Sequence, residues 1–139
     1  MYVLDTNVVS ELRPGKARQS PAVRAWASAL PESGFFLSAI TLMELEIGLQ
    51  RIERKDAVQG KLLRAWLDSL RMVFSERVLP FGKEAALLCA SLHVPDPRSY
   101  RDSMIAATAL SHGFIIATRN VRDYEHSGVK LINPWDYKV

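Results

Sequence analysis

The sequence predicts a three-layer α/β/α sandwich built on a mostly parallel sheet of about five short strands. Short runs of β-type apolar residues recur along the chain, and stretches with the apolar spacing of amphipathic helices separate them. This alternation is typical of a parallel sheet that is covered on both faces. The chain has 139 residues, which is the usual length of one domain, so residues 1–139 are expected to form a single unit.

The first half of the chain contains two strand-to-helix steps. Proline at a first helical turn and glycine or proline at a helix end mark the boundaries. The elements expected here are a strand at 2–4, a helix from Thr6 that Pro14-Gly15 ends, a helix from Ser20-Pro21 to Leu30, a strand at 35–37 and a helix at 40–52.

The second half repeats the alternation with shorter strands. An apolar stripe predicts one long amphipathic helix, and a glycine marks the end of a later one. The expected elements are a helix at 61–74, a strand at 78–79, a helix at 83–93, a loop with Pro95 and Pro97, a helix at 101–112 before Gly113, a strand at 114–117, a short helical turn near Asp123 and a strand at 130–132.

The composition favours an ordinary globular protein of a reducing compartment. The single cysteine, Cys89, excludes an internal disulfide framework and a thiolate-rich metal site. The first residues form no basic leader, and no apolar run approaches the roughly 20 residues that cross a bilayer, so we expect a cytoplasmic protein. The net charge is only +3, but the basic residues form local clusters that suit either a phosphate-rich partner or a solvated surface.

Asp5 directly follows the first predicted strand, where a ligand of a parallel sheet would bind. A carboxylate at this position is costly to bury unless a cation meets it. Aspartate is also one of the best N-caps, and the next helix begins at Thr6. The sequence alone leaves capping and a functional role both open for Asp5.

Three further acids stand three residues after a possible capping residue. The pairs are Thr41 with Glu44, Ser99 with Asp102, and Asn120 with Asp123, and each spacing resembles a capping box. An acid in the first turn after a strand also lies beside the carboxyl edge of the sheet, so capping and catalysis predict the same location. Asp102 shares a stripe with apolar residues and should lean toward the sheet. Periodicity prefers Glu44 only weakly, and Glu46 remains an alternative.

A group of converging carboxylates needs a cation to offset its charge. Carboxylate oxygens without cysteine or paired histidine suit Mg²⁺, or Mn²⁺, better than Zn²⁺. The three histidines are expected at helix ends or in loops, where interaction with a helix C-terminus is a simpler interpretation than zinc binding; they are His93, His112 and His126. A carboxylate-held Mg²⁺ activates water and withdraws charge from a phosphodiester, which is the chemistry of many nucleases.

Polar residues near the strand ends are candidates for contacts with a phosphate backbone or with the ligands of the metal. Arg119 follows the predicted strand end at Thr118 and is the best candidate for a phosphate contact, although an ordinary surface arginine explains it equally well. The residues that we expect to orient ligands or water molecules are Thr6, Asn7, Thr118 and Asn120.

These strings, in this order, resemble the PIN-domain ribonucleases and most closely the VapC-type toxins of type II toxin-antitoxin pairs. The resemblance covers nearly the whole chain. It is carried by Leu4-Asp5-Thr6-Asn7, Ser38-Ala39-Ile40-Thr41 with Glu44-Leu45, Asp102-Ser103-Met104-Ile105-Ala106-Ala107, Ala117-Thr118-Arg119-Asn120 and Asn133-Pro134-Trp135.

The resemblance implies that Asp5, Glu44, Asp102 and Asp123 are catalytic acids that bind the metal. Some relatives carry the fourth carboxylate at the position of Asn120 instead, so that position stays open. The resemblance further implies Mg²⁺-dependent cleavage of RNA, a homodimer, and a cognate antitoxin protein whose C-terminal segment covers the active site. Apolar side chains on the helices between residues 40 and 74 would supply a groove for an amphipathic partner helix, or simply pack in the core.

Two other classes of function compete with this interpretation. A signalling receiver module would also gather acids at strand ends and would be phosphorylated at Asp5, but the chain lacks a second acid beside Asp5 and a clear lysine at a late strand end. A binding protein without catalytic activity would keep the same fold for protein or RNA contacts only. Binding of Mn²⁺ separates this last alternative from the nuclease.

Overall fold

The computed structural model describes residues 1–139 and contains five strands and six α-helices. The strands are β1 (Tyr2–Leu4), β2 (Phe35–Ser38), β3 (Val78–Leu79), β4 (Ile115–Ala117) and β5 (Leu131–Ile132). The helices are α1 (Thr6–Glu11), α2 (Pro21–Ser28), α3 (Ala39–Lys55), α4 (Ala57–Val73), α5 (Lys83–Leu92) and α6 (Tyr100–His112). Four single 3₁₀ turns complete the chain, and the predicted order of elements is confirmed.

All five strands are parallel and lie in the order β3-β2-β1-β4-β5. The central strand β1 pairs with β2 on one side and with β4 on the other. The chain therefore proceeds outward from β1 in both directions, which makes the edge between β1 and β4 a topological switch point. Leu4 and Ala117 are paired there, and the amide of Asp5 donates to the carbonyl of Ala117 at 2.9 Å.

The two faces of the sheet are covered by separate apolar cores, because successive side chains of a strand point to opposite faces. Val3 packs with Ile105 of α6 and with Ile116 on one face. Leu4 packs with Val8 of α1 and with residues of α2 on the other face. The predicted three-layer α/β/α sandwich is therefore confirmed.

Helix starts differ from the prediction where a capping residue lies ahead of the first apolar residue. The prediction began α4 at residue 61, with the apolar stripe, but the helix begins at Ala57. Asp56 caps it, because its carboxylate accepts from the amide of Gln59 at 3.0 Å. None of the helices combines the length and the apolar character needed to span a membrane.

Candidate active site

Three of the four predicted acids converge on the guanidinium group of one arginine. Nη2 of Arg101 lies 2.8 Å from Oδ1 of Asp5, and its Nε lies 2.6 Å from Oε2 of Glu44. Nη1 lies 2.8 Å from Oδ1 of Asp102. Asp5 directly after β1, Glu44 in α3 and Asp102 in α6 thus share one cation, although up to 97 positions separate them in sequence.

Each acid reaches the cluster from the beginning of a helix. Asp5 leaves β1 and caps α1, since its Oδ1 accepts from the amide of Thr6 at 2.8 Å. Asp102 lies in the first turn of α6, whose N-cap is Ser99. Glu44 lies in the second turn of α3, where Oε1 accepts from the hydroxyl of Thr6 at 2.8 Å. The Asp5 carboxylate therefore caps α1 and belongs to the acid cluster at the same time.

Asp5 is the most enclosed member of the cluster, and only 1% of its surface is exposed. Its Oδ2 accepts from the hydroxyl of Thr118 at 2.7 Å and from the phenol of Tyr124 at 3.0 Å. Its Oδ1 accepts from Thr6 and from Arg101. A carboxylate has about four lone-pair positions, so the acceptor capacity of Asp5 is filled.

Burial and the charges of the cluster shift the pKa of its two other polar members, Arg101 and Tyr124. Burial acts to lower the pKa of Arg101, but the hydrogen bond to Glu44 and the charge of Asp5 outweigh it, so that pKa is raised. Burial and then the charge of Asp5 raise the pKa of the Tyr124 phenol. Arg101 is therefore a permanent cation, and Tyr124 is a neutral phenol that donates to Asp5 and accepts from Arg101 at 3.0 Å.

Of the three predicted capping boxes, only one has the expected capping hydrogen bond. Ser99 caps α6 and accepts from the amide of Asp102 at 3.4 Å. The pair of Thr41 and Glu44 was wrong, because the N-cap of α3 is Ser38. The hydroxyl of Ser38 accepts a hydrogen bond from the backbone amide of Thr41. The pair of Asn120 and Asp123 was also wrong, since the Asn120 side chain makes no capping hydrogen bond.

Glu44 and Glu46 face different neighbours, although the sequence barely distinguished them. Glu44 contacts Arg101 and Thr6 in the cluster. Glu46 points to α4 and forms a bidentate ion pair with Arg64, with both oxygens 2.7 Å from guanidinium nitrogens. The geometry therefore supports Glu44 as the member of the site.

Asp123 lies in an exposed 3₁₀ turn and takes part in none of the hydrogen bonds or ion pairs of the cluster. The next residue, Tyr124, is the one from this turn that enters the site. A 3₁₀ turn has three residues per turn, so adjacent side chains diverge widely. The role of Asp123 as a fourth acid stays a prediction.

The other predicted residues connect β1 to β4 around the acids. The hydroxyl of Thr118 accepts from the amide of Asn120 at 3.0 Å and from the Asn7 side chain at 3.4 Å. Asn7 in turn accepts from the amide of Arg119 at 3.2 Å. The guanidinium of Arg119 lies outside this network, 5.1 Å from the ring centroid of Trp135, and is exposed at the rim.

Sequence reasoning missed Arg101 and Tyr124 as parts of the site. The acids required a cation, and a metal ion was expected in that role, while Arg101 belonged with Arg98 to one of the local basic clusters that suit either a phosphate-rich partner or a solvated surface. Its position directly before Asp102 was the available signal. Tyr124 had no comparable signal, because an aromatic residue in a short turn predicts packing as readily as a hydrogen bond.

The donor set suits a hard divalent ion, but the acids are held apart. Carboxylate and hydroxyl oxygens are the ligands that Mg²⁺ and Mn²⁺ prefer. No group of three His, Cys, Asp or Glu side chains is arranged to hold a metal ion, because different nitrogens of Arg101 bind the three carboxylates. Mg²⁺ takes oxygens at about 2.0–2.1 Å, so the acids fit the ion if they close in where the guanidinium now lies.

Comparison with known proteins gives consistent results across the chain. A family model described as PIN domain matches residues 2–127. VapC ribonuclease Y4jK of Sinorhizobium fredii is 40% identical, over 98% of this chain and 99% of its own. Toxin FitB of Neisseria gonorrhoeae is 32% identical, over 97% of this chain and 99% of its own. The crystal structure of FitAcB from that organism gives a TM-score of 0.88 at 31% identity, covering 98% of this chain and 99% of the other.

The fold and the site define an α/β protein that gathers acids at the carboxyl edge of a parallel sheet, beside a topological switch point. The chain belongs to the PIN-domain family, as a VapC-type member. This assignment replaces the alternative of a receiver module.

Proposed function

We propose that the protein is a metal-dependent endoribonuclease that acts as the toxin of a toxin-antitoxin pair in the cytoplasm. The observation that carries the proposal is the convergence of Asp5, Glu44 and Asp102 at the carboxyl edge of the sheet. The names of full-length relatives, a VapC ribonuclease and a toxin, support the same activity. The reaction is hydrolysis of an RNA phosphodiester bond.

In this proposal, Asp5, Glu44 and Asp102 hold Mg²⁺ or Mn²⁺, with Asp123 as the predicted fourth acid. The bound ion supplies a water molecule of lowered pKa and offsets charge on the phosphodiester. Thr118 and Tyr124 fix the orientation of Asp5, while Thr6 fixes that of Glu44.

Arg119 is the proposed contact to the RNA backbone. Its side chain is exposed at the rim of the site, and its amide is anchored to Asn7 next to the acid cluster. Stacking on Trp135 limits the directions that the guanidinium can take. A contact to phosphate would position the RNA without reading its sequence.

The test is cleavage of RNA by the purified protein with Mg²⁺ or Mn²⁺ added after chelation. The wild-type protein is expected to cut, and the Asp5→Asn, Asp102→Asn double variant purified in parallel is expected to be inactive. Equal cutting by both proteins, with contaminating nuclease excluded by co-elution of activity and protein, would refute the proposal. Absence of both Mn²⁺ binding and cutting would instead favour a binding protein without catalytic activity.

A groove next to the acids is the proposed site for the antitoxin. It has a volume of about 400 Å³ and opens between α1, α3 and α4, with Thr6 and Glu44 at the end that meets the cluster. Its apolar lining residues are Leu45, Leu49, Ile52, Leu63, Trp66 and Leu67. Arg13 and Lys16 add positive charge on the α1 side. An amphipathic segment lying in this groove would reach the site directly.

Leu63 lines the groove and the neighbouring Leu62 is exposed outside it, which provides a matched pair. Leu63→Gln is expected to weaken binding of the antitoxin encoded by the neighbouring reading frame by at least about fivefold, because truncating a central interface residue costs more than 1 kcal/mol. Leu62→Gln should leave binding unchanged. Equal affinities in titration calorimetry for both variants would place the antitoxin elsewhere.

The homodimer that the resemblance implies is also part of the proposal. Sedimentation of the purified toxin, alone and with its antitoxin, tests it through the mass of the particle. Expression in a bacterium with and without the neighbouring reading frame, followed by mapping of new RNA ends, identifies the target and shows whether the antitoxin suppresses cleavage.

A further inference from the structure

Arg101 occupies the centre of the acid cluster, where the proposed function requires a divalent ion. Its three donor nitrogens are each used by a different acid, at 2.6 to 2.8 Å. Three carboxylates and one guanidinium leave a local excess of negative charge that still attracts cations. The question is whether a metal ion joins Arg101 or replaces it.

The hydrogen bonds of Asp5 decide this question. Asp5 accepts four hydrogen bonds, which fills its capacity, so a metal ion can bind it only if one donor leaves. The Thr6 donor is the backbone amide at the start of α1. Thr118 and Tyr124 are fully buried and cannot withdraw without opening the core.

Arg101 is the donor that can leave. About one third of its side chain is exposed, and it lies at the second residue of α6. A long flexible side chain in this position can turn toward solvent while the helix stays in place. When it leaves, each of the three acids loses one hydrogen bond, and one oxygen of each becomes available to a metal ion.

We propose that Arg101 is a built-in counter-ion that a divalent metal ion must displace from Asp5, Glu44 and Asp102. The inference rests on the proposed metal-dependent function and adds a control to it. Without metal, the guanidinium keeps the three acids together and blocks their shared position. The metal-competent arrangement is then only part of the population, and apparent metal affinity falls by that fraction.

Mn²⁺ binding by calorimetry in the absence of RNA tests the competition. Arg101→Gln is expected to bind Mn²⁺ about tenfold more tightly than the wild type. This is the gain expected if only about one tenth of the wild-type molecules have Arg101 turned away from the acids. Arg98→Gln is the matched control, because it removes the same charge from an exposed side chain three residues earlier in the sequence, and it should change affinity by less than twofold. Arg101→Lys retains the charge but cannot contact three acids as a planar fork, so it should bind more tightly than the wild type.

Equal or weaker Mn²⁺ binding by Arg101→Gln would overturn the inference, as would equal gains in Arg98→Gln and Arg101→Gln. If these results came with normal metal-dependent RNA cleavage by the wild type, the proposed function would stand and only the inference would fall. Absence of both Mn²⁺ binding and cleavage in the wild type would refute both.

A second measurement uses the wild-type protein and does not depend on the folding of a variant. The Nε–H signal of Arg101 in a nitrogen-15 NMR spectrum of the wild type, assigned through side-chain correlations to the Arg101 backbone, is expected to be protected from exchange without metal. Saturating Mg²⁺ should expose it to exchange as the Asp5 resonances shift. Protection that persists at saturation would show that Arg101 stays, and would overturn the inference.

Discussion

The Tyr124 phenol lies between two charged groups of the site, and it is completely buried. It donates to Asp5 and accepts from Arg101, so it uses both roles of a neutral hydroxyl. Its raised pKa keeps it in this neutral form. The residue therefore supports the orientation of Asp5 whether the cation beside it is the guanidinium or a metal ion.

Removing the Tyr124 hydroxyl tests this role. Tyr124→Phe is expected to lower the free energy of unfolding by about 2 kcal/mol, because hydrogen bonds to charged groups contribute about 1.5–3 kcal/mol. Urea unfolding measures the loss. Tyr137→Phe is the control, since Tyr137 is partly exposed and its hydroxyl has no hydrogen bond. Equal losses in the two variants would contradict the role assigned to Tyr124.

The sequence indicated three of the acids that meet at the sheet edge, but it did not indicate the groups around them or the separate position of Asp123. Asp5 and Asp102 could be predicted because strand ends and helix starts fix where a carboxylate lies relative to the sheet. Glu44 was preferred only weakly, because its rival Glu46 also lies on a half-buried part of α3 and differs by its partner, Arg64. Arg101 could not be placed, because the direction of a long side chain depends on contacts with three separate elements.

The helices α3 and α4 form an antiparallel pair that borders the proposed antitoxin groove. They are joined at Asp56, which ends α3 and caps α4. Gly60 lies so close to α3 that a Cβ atom there would stand 2.8 Å from the Cα of Glu53. Close approach of the two backbones at this end therefore depends on glycine.

Two helical glycines give opposite predictions for the same substitution. Gly60→Ala is expected to destabilise the protein by about 1–3 kcal/mol, because the clash involves backbone of α3. Gly48→Ala meets nothing within 4 Å and should stabilise it by up to about 1 kcal/mol through helix propensity. Thermal unfolding of both variants provides the measurement, and a stabilised Gly60→Ala would contradict the packing described for this pair.

The ion pair of Glu46 with Arg64 predicts a pH-dependent link between the same helices. Hydrogen bonds from Arg64 and then Gln50 lower the pKa of Glu46 from 4.5 to about 2. Because the pKa of Glu46 is lower in the folded protein, the ion pair stabilises the fold fully at pH values above 4.5, the pKa in the unfolded chain. This contribution is lost as the pH falls toward 2.

Urea unfolding at several pH values tests this link. The stability difference between the wild type and Glu46→Gln should be constant above pH 5 and shrink as the pH falls through the window set by the pKa shift from 4.5 to about 2. A difference that does not vary between pH 5 and pH 2 would contradict the prediction.

Elements were predicted well where apolar residues begin and end them, and less well where polar caps do. The strands β1 and β3 match their predicted bounds, whereas α4 begins four residues earlier than expected. Residues 57–59 contribute little to the apolar face of α4. Only the capping side chain of Asp56 marks the start of this helix. A cap is one hydrogen bond and leaves no periodic signal.

At the scale of the whole molecule, the parallel topology joins residues that are distant in sequence. The order β3-β2-β1-β4-β5 brings the ends of β1 and β4 together, and α3 and α6 begin beside them. The acids come from three elements that fold into one sheet edge, so they are expected to act as a unit. Residues that act as a unit are strongly non-additive when they are replaced.

Metal-dependent RNA cleavage by single and combined acid variants tests this claim most directly. Asp5→Asn, Glu44→Gln and Asp102→Asn are each expected to reduce cleavage by at least about 100-fold, which is the upper range for groups that only support metal ligands. The triple variant should cleave as fast as the least active of the three single variants, because loss of one acid already removes the function of the group. Glu46→Gln should cleave like the wild type. Wild-type cleavage by any of the three single variants, or loss of cleavage in Glu46→Gln, would contradict the account.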